Sequence, residues 1–306
     1  MIMDVSIIIV NYNTCKLIKA CISSIYKHTF DVEFEVIVVD NASTDGSIEM
    51  LSQDRRIAFI KSETNLGFGK ANNLGYQHAK GKYLFLLNSD TVLENNAIKL
   101  FFDAAENEVD RRIGCWGTML RDVSGEIGMS YGHFLSMWKD LYIQYVLLPY
   151  SFVKHEKLTD HSYNYPTPDD GTVDYITGAD LFMKKEVADR YGLFDPEFFL
   201  YCEETDMQKR YSTYGIKSKI IQTPHIIHLQ GGSQNTSGKR SKLGLIVLKS
   251  KMRYFSRWNN PVFVNLYRIL ITIIKIPVLI FSSSNMEYKK KYLKIIWSKQ
   301  LKKERI

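Results

Sequence analysis

Cysteine is scarce in this 306-residue chain, and the four present (Cys15, Cys21, Cys115, Cys202) form no CxxC and no paired rhythm. That excludes a zinc ribbon and a disulfide framework, and it fits a reducing, cytoplasmic compartment. Seven prolines and 18 glycines are too few for a collagen-like, mucin-like or low-complexity chain. The opening MIMDVSIIIVNYN lacks a basic n-region and a small-residue cleavage site, so it reads as a first strand and not a signal peptide. No GxGxxG sits on that strand and no Walker motif ends in Lys-Ser/Thr, which disfavours dinucleotide and ATP binding. Acids are nearly absent from one end only. Residues 236–306 hold 17 Lys and Arg against 2 acids, Glu287 and Glu304, a net +15; the whole-chain balance of +7 leaves −8 on residues 1–235. A basic tail on an acidic body suggests an anionic membrane surface as partner, while a body without a basic stripe argues against nucleic acid.

The first hundred residues alternate short apolar runs with helical patterns. Val5–Val10, Glu35–Val39, Ile57–Ile60 and Tyr83–Leu87 read as strands buried on both faces of a parallel sheet. Cys15–Lys27, Ser47–Gln53, Gly69–Ala79 and Glu94–Ala105 read as helices, with Thr14 and Ser43-Thr44-Asp45 placed as N-caps. The alternation predicts a doubly wound α/β sheet, whose ligands bind at the carboxyl ends of the strands. Those ends carry Asn11-Tyr12-Asn13, Asp40-Asn41 and Asn88-Ser89-Asp90. Residues 1–110 and 111–235 read as two halves of one domain, the second completing the sheet and building an acceptor side, with patterned segments at Val173–Lys185 and Glu203–Tyr214. The stretch Ser124–Pro168 has weak periodicity and many aromatics.

Residues 236–306 form a third segment, a basic amphipathic helical extension. Its apolar run Val262–Phe281 is long enough to span a bilayer. Asn265, Arg268, Thr272 and Lys275 share one helical face opposite Phe263, Leu266, Leu270, Ile273 and Ile274, the pattern of a helix lying in the membrane plane. The Lys-rich stretch Lys289–Arg305 adds attraction to anionic lipid.

Each polar cluster is ambiguous by itself. Asp40 by itself reads more readily as a helix cap or turn former than as a ligand contact, and Asp90 equally as an N-cap or as a hard-oxygen ligand for a divalent ion. Gly67, Gly69 and Gly75 surround a strand-to-helix junction where backbone N–H groups can approach a ligand. Glu203, Glu204 and Asp206 place three acids in a helix's first turn, as dipole compensation or as a general base. His225 and His228, three apart at a strand end, do not make a zinc site.

The order of these clusters adds more. SIIIVNYN, VVDNASTDGS, NLGFGKANNLG, LLNSD, ITGADLFMKKE, GLFDPEFFLYCEETDMQKR and HLQGGS run from Ser6 to Ser233. In that order they resemble the family 2 inverting glycosyltransferases of A-type fold, especially the bacterial rhamnosyltransferase-like branch. The resemblance implies a nucleotide-sugar donor, dTDP-rhamnose or a UDP-hexose, and a lipid-linked glycan acceptor in surface-polysaccharide (O-antigen or capsule) synthesis. It implies that Asn11 and Asn13 lie beside the nucleotide, that Asp40 meets base or ribose, and that Asn65, Gly67 and Gly69 line the donor pocket. Asn88-Ser89-Asp90 takes the place of Asp-x-Asp, so Asp90 would ligate Mg²⁺ or Mn²⁺, with His228 completing metal or diphosphate binding. Glu204 would be the general base, with Glu203 its competitor. Asn88 and Glu204 each replace an Asp usual in the family. The enzyme would sit on the inner face of the cell membrane. The alternative is a non-catalytic glycan- or membrane-binding scaffold of the same fold, which is expected to have lost some of Asp40, Asp90 and Glu204.

Overall fold

The computed structural model describes residues 3–148, 171–229, 237–281, 284 and 286–298. The later part of the Ser124–Pro168 stretch, Gly231-Gly232-Ser233 and the end of the Lys-rich segment lie outside the described residues. The chain forms two compact units. The first comprises Met1–His133, Ser162–Phe199 and Glu203–Asn235, the second Phe134–His161, Leu200–Cys202 and Thr236–Ile306.

The first unit opens with β1 (Val5–Asn11), α1 (Cys15–His28), β2 (Phe34–Asp40), α2 (Ser47–Ser52), β3 (Ile57–Lys61), α3 (Phe68–Tyr76) and β4 (Tyr83–Asn88). It continues through β5 (Thr91–Leu93), α4 (Ala97–Glu106), β6 (Ile113–Thr118) and β7 (Tyr131–Gly132). After the second unit's α5 (Met137–Val146) come β8 (Thr172–Val173), β9 (Tyr175–Ile176), β10 (Asp180–Lys184), α6 (Lys185–Tyr191), α7 (Glu203–Thr213), β11 (Lys217–Ile221) and β12 (Ile226–His228). The second unit closes with α8 (Ser237–Trp258), α9 (Pro261–Phe281) and α10 (Met286–Ile296).

Eight strands form one sheet in the order β3-β2-β1-β4-β10-β6-β11-β8. β3, β2, β1 and β4 run parallel, whereas β10 is antiparallel to both β4 and β6. Alternate residues of the buried strands feed different cores, as the two-residue pleat requires. Ile7, Ile9, Phe85 and Phe182 face one cluster with Ile18, Ile22 and Ile25 of α1 and Phe101 of α4. Ile8, Leu84, Leu86 and Leu181 face another with Val187 of α6 and with Met207 and Tyr211 of α7. The first face is rich in rings, with Phe182 stacked on Phe101 at 5.3 Å and on Tyr83 at 5.1 Å. β3 departs from the expected double burial: as the outer strand it keeps its residues half-exposed or exposed.

The caps also differ from expectation. Thr14 occupies the N-cap of α1, but its hydroxyl turns to Asn11 Oδ1 (2.6 Å) and Ser89 Oγ (2.9 Å). Asp45 supplies the missing acceptor, its Oδ2 taking the Cys15 N–H at 2.8 Å. At α2 the N-cap position is Gly46 with φ +87°, and Asp45 before it accepts the N–H of Ser47, the first helical residue, at 3.2 Å. Arg210 of α7 is buried and donates to the carbonyls of Tyr191, Gly192 and Leu193, satisfying the orphan acceptors that end α6.

In the second unit the two cations of the α9 polar stripe turn inward, while Asn265 stays exposed. Arg268 is buried, donating to Asn265 Oδ1 (3.2 Å) and to the Ser298 carbonyl (3.3 Å). Lys275 is shielded enough that burial lowers its ammonium pKa, with Lys251 adding to the shift. Ile269, Ile273, Ile276 and Ile280 of the same helix are left exposed.

Candidate active site

β1 lies between β2 and β4, so the carboxyl ends of these three strands meet where the chain order of the sheet reverses. That is where open α/β sheets bind ligands. Asn11 pairs in register with Asp40, and Val10 with Asn88. Asn11 Nδ2 donates to Asp40 Oδ2 (2.7 Å) and to Ser43 Oγ (3.1 Å), while the Ser43 N–H caps Asp40 Oδ1 (2.9 Å). Asp40 is expected from the resemblance to meet base or ribose, but the structure closes it in completely. Its carboxylate braces the loop after β2 through Asn11 and Ser43. The groups actually exposed here are Tyr12 and Asn13, the latter with φ +55° and its Oδ1 held by the Thr44 N–H at 2.7 Å.

The glycine-rich junction is used by the protein itself. A Cβ on Gly67 (φ +82°) would lie 2.1 Å from the Phe199 carbonyl oxygen, which accepts the Phe68 N–H at 2.8 Å. A Cβ on Gly69 would meet Phe194 at 3.2 Å and Glu203 Cβ at 3.7 Å. These glycines therefore admit the loop that leads to α7. Asn65 supports the turn, its Oδ1 accepting from Gly67 N (2.9 Å) and Asn41 Nδ2 (3.1 Å).

Asp90 and His228 are 138 residues apart, and the structure brings them together. β5 pairs antiparallel with β12 so that Thr91 faces His228, and His228 Nε2 lies 3.1 Å from Asp90 Oδ1. The two side chains are 17% and 19% exposed, so both still meet solvent. Asn88 contributes its backbone, its N–H bonding to the Ala179 carbonyl (3.0 Å) and its carbonyl accepting from Thr91 Oγ1 (2.7 Å).

Glu203 and Glu204 open α7, directly after Tyr201 and Cys202, a consecutive pair with φ +67° and +66°. Glu203 is buried against Gly69. Glu204 is half-buried, yet its Oε2 is shut from solvent and has no hydrogen-bond partner. Burial raises its carboxyl pKa above the ordinary range, against the lowering effect of the N–H groups of Glu204 and Thr205. A carboxylate that is ionisable, poorly solvated and unsatisfied is suited to taking a proton.

One residue escapes the sequence reading. Asp180, inside ITGADLF, is fully buried and pairs with Leu87 at the end of β4. Its Oδ2 accepts the Thr118 N–H at 2.7 Å and its Oδ1 is orphaned, so burial drives its pKa well above the usual value. An acid flanked by apolar residues within a strand is the only sequence signal for it.

Among the described residues no group of three or more His, Cys, Asp or Glu could hold a metal ion. Asp90 and His228 nonetheless fit a divalent ion that takes its other ligands from phosphate oxygens and water, being one hard carboxylate and one imidazole, both solvent-facing.

Residues 6–152 match the family described as Glycosyl transferase family 2. Glycosyltransferase GlyG of Streptococcus pneumoniae is 34% identical over 115 residues, which make up 36% of this chain and 38% of that protein. The poly(ribitol-phosphate) beta-glucosyltransferase of Bacillus spizizenii is 26% identical over 239 residues, 72% of this chain and 36% of that protein. The matched segments thus span little more than a third of either relative's length. The mannosyltransferase PcManGT of Pyrobaculum calidifontis, in complex with GDP-Man and Mn2+, has a TM-score of 0.57 at 14% identity, covering 96% of this chain and 87% of that one. TarS of S. aureus with UDP-GlcNAc has a TM-score of 0.54 at 16% identity, covering 96% and 79%. The fold is the A-type glycosyltransferase fold, a mostly parallel sheet with a C-terminal helical extension. Through residues 6–152 the chain is related to the family 2 glycosyltransferases.

Proposed function

We propose that the protein is an inverting glycosyltransferase that moves a sugar from a nucleoside-diphosphate sugar to a hydroxyl of a lipid-linked glycan in surface-polysaccharide assembly. A UDP-hexose is the favoured donor and dTDP-rhamnose the other. UDP-GlcNAc is the sugar nucleotide bound by TarS, and the B. spizizenii relative is a glucosyltransferase. The observation that carries the reading is the Asp90–His228 pair, assembled from distant segments beside the point where the sheet order reverses.

The residues divide the work. Asn13 and the exposed Tyr12 ring offer a polar contact and a stacking face to the nucleotide, on a loop that Asn11, Asp40 and Ser43 hold rigid. Asn65, Gly67 and Gly69 shape the neighbouring wall. Asp90 and His228 would hold Mg²⁺ or Mn²⁺, which when bound neutralises charge on the leaving diphosphate. Glu204 accepts the acceptor hydroxyl's proton as that oxygen attacks the anomeric carbon from the face opposite the diphosphate. Glu203, the more enclosed residue of the pair, is the competing base. The net +15 of residues 236–306 would hold the enzyme at an anionic inner membrane face, where a lipid-linked acceptor is found.

The test is a thermal-shift screen of the purified protein against UDP, dTDP, GDP and CMP, each with Mn²⁺ and with EDTA. A shift with UDP that EDTA and Asp90→Ala both remove is expected. A shift with dTDP alone would move the donor to rhamnose, and no shift with any nucleotide would sink the transferase reading in favour of the scaffold.

A further inference from the structure

The second unit presents an apolar face that a water-soluble helical unit would bury. On α9, Val262, Leu266, Ile269, Ile273, Ile276 and Ile280 recur at spacings of four and three, and all are 41–71% exposed. The two cations of α9, Arg268 and Lys275, turn away from this stripe, so the helix has its usual polarity inverted.

A neighbouring helix continues the face. α5 exposes Trp138, Tyr142 and Tyr145, and the Trp138 ring lies 6.4 Å from that of Phe263 on α9, edge to face. The other side of α5 is pinned inside the unit. Asp140 Oδ1 accepts from Lys251 Nζ (2.7 Å) on α8, and Asp140 Oδ2 accepts from Tyr267 OH (2.6 Å) on α9. That clamp fixes which side of α5 faces out. Contiguous apolar surface of this extent marks an interaction site.

We propose that α5 and α9 together form one membrane-inserting surface, seated in a single bilayer leaflet with the α9 stripe among the acyl chains and the α5 aromatics at headgroup level. The proposal rests on the membrane reading above and deepens it, because it names the surface and makes burial, with charge, the source of binding. Three observations favour lipid over a second copy of the chain. The face is wider than the narrow seam a partner helix needs, since α5 lies alongside it. Pro277 interrupts the α9 hydrogen-bond ladder within the stripe. A net +15 over residues 236–306, with Lys290, Lys291 and Lys294 exposed on α10, repels a second copy and attracts anionic lipid. The inward anchoring of Arg268 and Lys275 argues for a helix lying in the plane, because a span exposes every face to lipid. Amphipathic aromatic rings are favoured where water meets hydrocarbon.

The test is vesicle flotation of the full chain with zwitterionic and with anionic vesicles, at low and at high salt. The wild type is expected to bind anionic vesicles and to keep much of that binding at 0.5 M salt, where the Debye length falls to about 4 Å and exposed charges are largely screened. Ile273→Lys and Ile269→Glu should each weaken binding about tenfold or more, as expected from loss of one inserted aliphatic side chain. Trp138→Ala should weaken it by a smaller factor. Ile273→Lys is decisive, since it adds positive charge and would strengthen a purely electrostatic contact. UDP-induced thermal shifts in each variant check that the first unit is intact. Binding that Ile273→Lys leaves unchanged or strengthens overturns the inserted surface while the electrostatic membrane reading survives. No flotation of the wild type overturns both. A lipid-free dimer by light scattering, dispersed by Ile273→Lys, would assign the face to a second copy and overturn the proposal.

Discussion

Replacing Glu204 by Gln separates chemistry from stability, because the structure makes the two effects opposite in sign. The amide keeps the shape of the side chain and removes its capacity to take a proton. A positioned general base contributes about 10²- to 10⁴-fold, so kcat should fall by that factor, roughly 2.7–5.5 kcal/mol in activation free energy. Nucleotide affinity should stay within about twofold, since Glu204 lies on α7 and not on the loop after β1. Stability should move the other way. Burial raises the folded-state pKa of Glu204 above its unfolded value, so the native state is penalised for holding the charge at neutral pH. A carboxyl shifted upward contributes its full stability only below the unfolded pKa and loses it as pH rises through the folded pKa. Glu204→Gln should therefore raise the melting temperature at pH 7 and lose that advantage as pH falls towards about 4. The wild-type rate should rise with pH through the elevated Glu204 pKa and then level off, and the variant should lack that limb. The assay is release of nucleoside diphosphate from the donor in the presence of acceptor-bearing membranes, run beside thermal melts. Retention of more than about a tenth of kcat by Glu204→Gln, with Glu203→Gln inactive, would refute the assignment.

Other consequences can be measured alongside. Asp180→Asn should stabilise the protein at neutral pH, and the gain should shrink as pH is lowered from the raised folded-state pKa towards the unfolded value, because the native acid is already neutral there; a variant that destabilises at every pH would show that the ionised acid is needed. Gly67→Ala should cost about 2–4 kcal/mol in urea unfolding, since its Cβ falls 2.1 Å from the Phe199 oxygen at φ +82°. Gly46→Ala, at φ +87° but with open space around the added carbon, should cost only about 1 kcal/mol, and equal losses would mean that the clash at Gly67 is relieved by movement. His228→Ala should weaken the Mn²⁺-dependent part of nucleotide binding, read as the difference in melting temperature between Mn²⁺ and EDTA, and leave the metal-free part unchanged.

Several elements were legible in the chain because their cause is local. VSIIIVN, FEVIVVD and YLFLLN are apolar on both faces, and β1, β2 and β4 begin and end within a residue or two of those runs. The α1 pattern of Ile18, Cys21, Ile22 and Ile25 likewise declares a buried helical face. Caps were less legible. Thr14 has the right residue type at the right position, yet Asn11 and Ser89 compete for its hydroxyl, and Asp45 takes over from 30 residues away. Gly67 looked like a ligand cradle for a similar reason: its freedom is visible in the sequence, but the Phe199 carbonyl that needs it lies 132 residues further on.

Local pattern alone determined that this protein is an α/β sheet with polar residues at the strand ends, an acidic body and a basic helical extension. Pairing across long stretches of chain decided the rest. Insertion of β10 antiparallel between β4 and β6 buried Asp180, and the β5–β12 ladder set His228 against Asp90. Packing of the loop before α7 against Gly67 and Gly69 enclosed Glu203 and left Glu204 with an unsatisfied oxygen. In the second unit it was packing again that chose which side of α9 faces outward, where periodicity could only say that the helix has two sides. Burial, and with it the pKa of an acid or the exposure of an isoleucine, depends on neighbours that only the folded chain brings close.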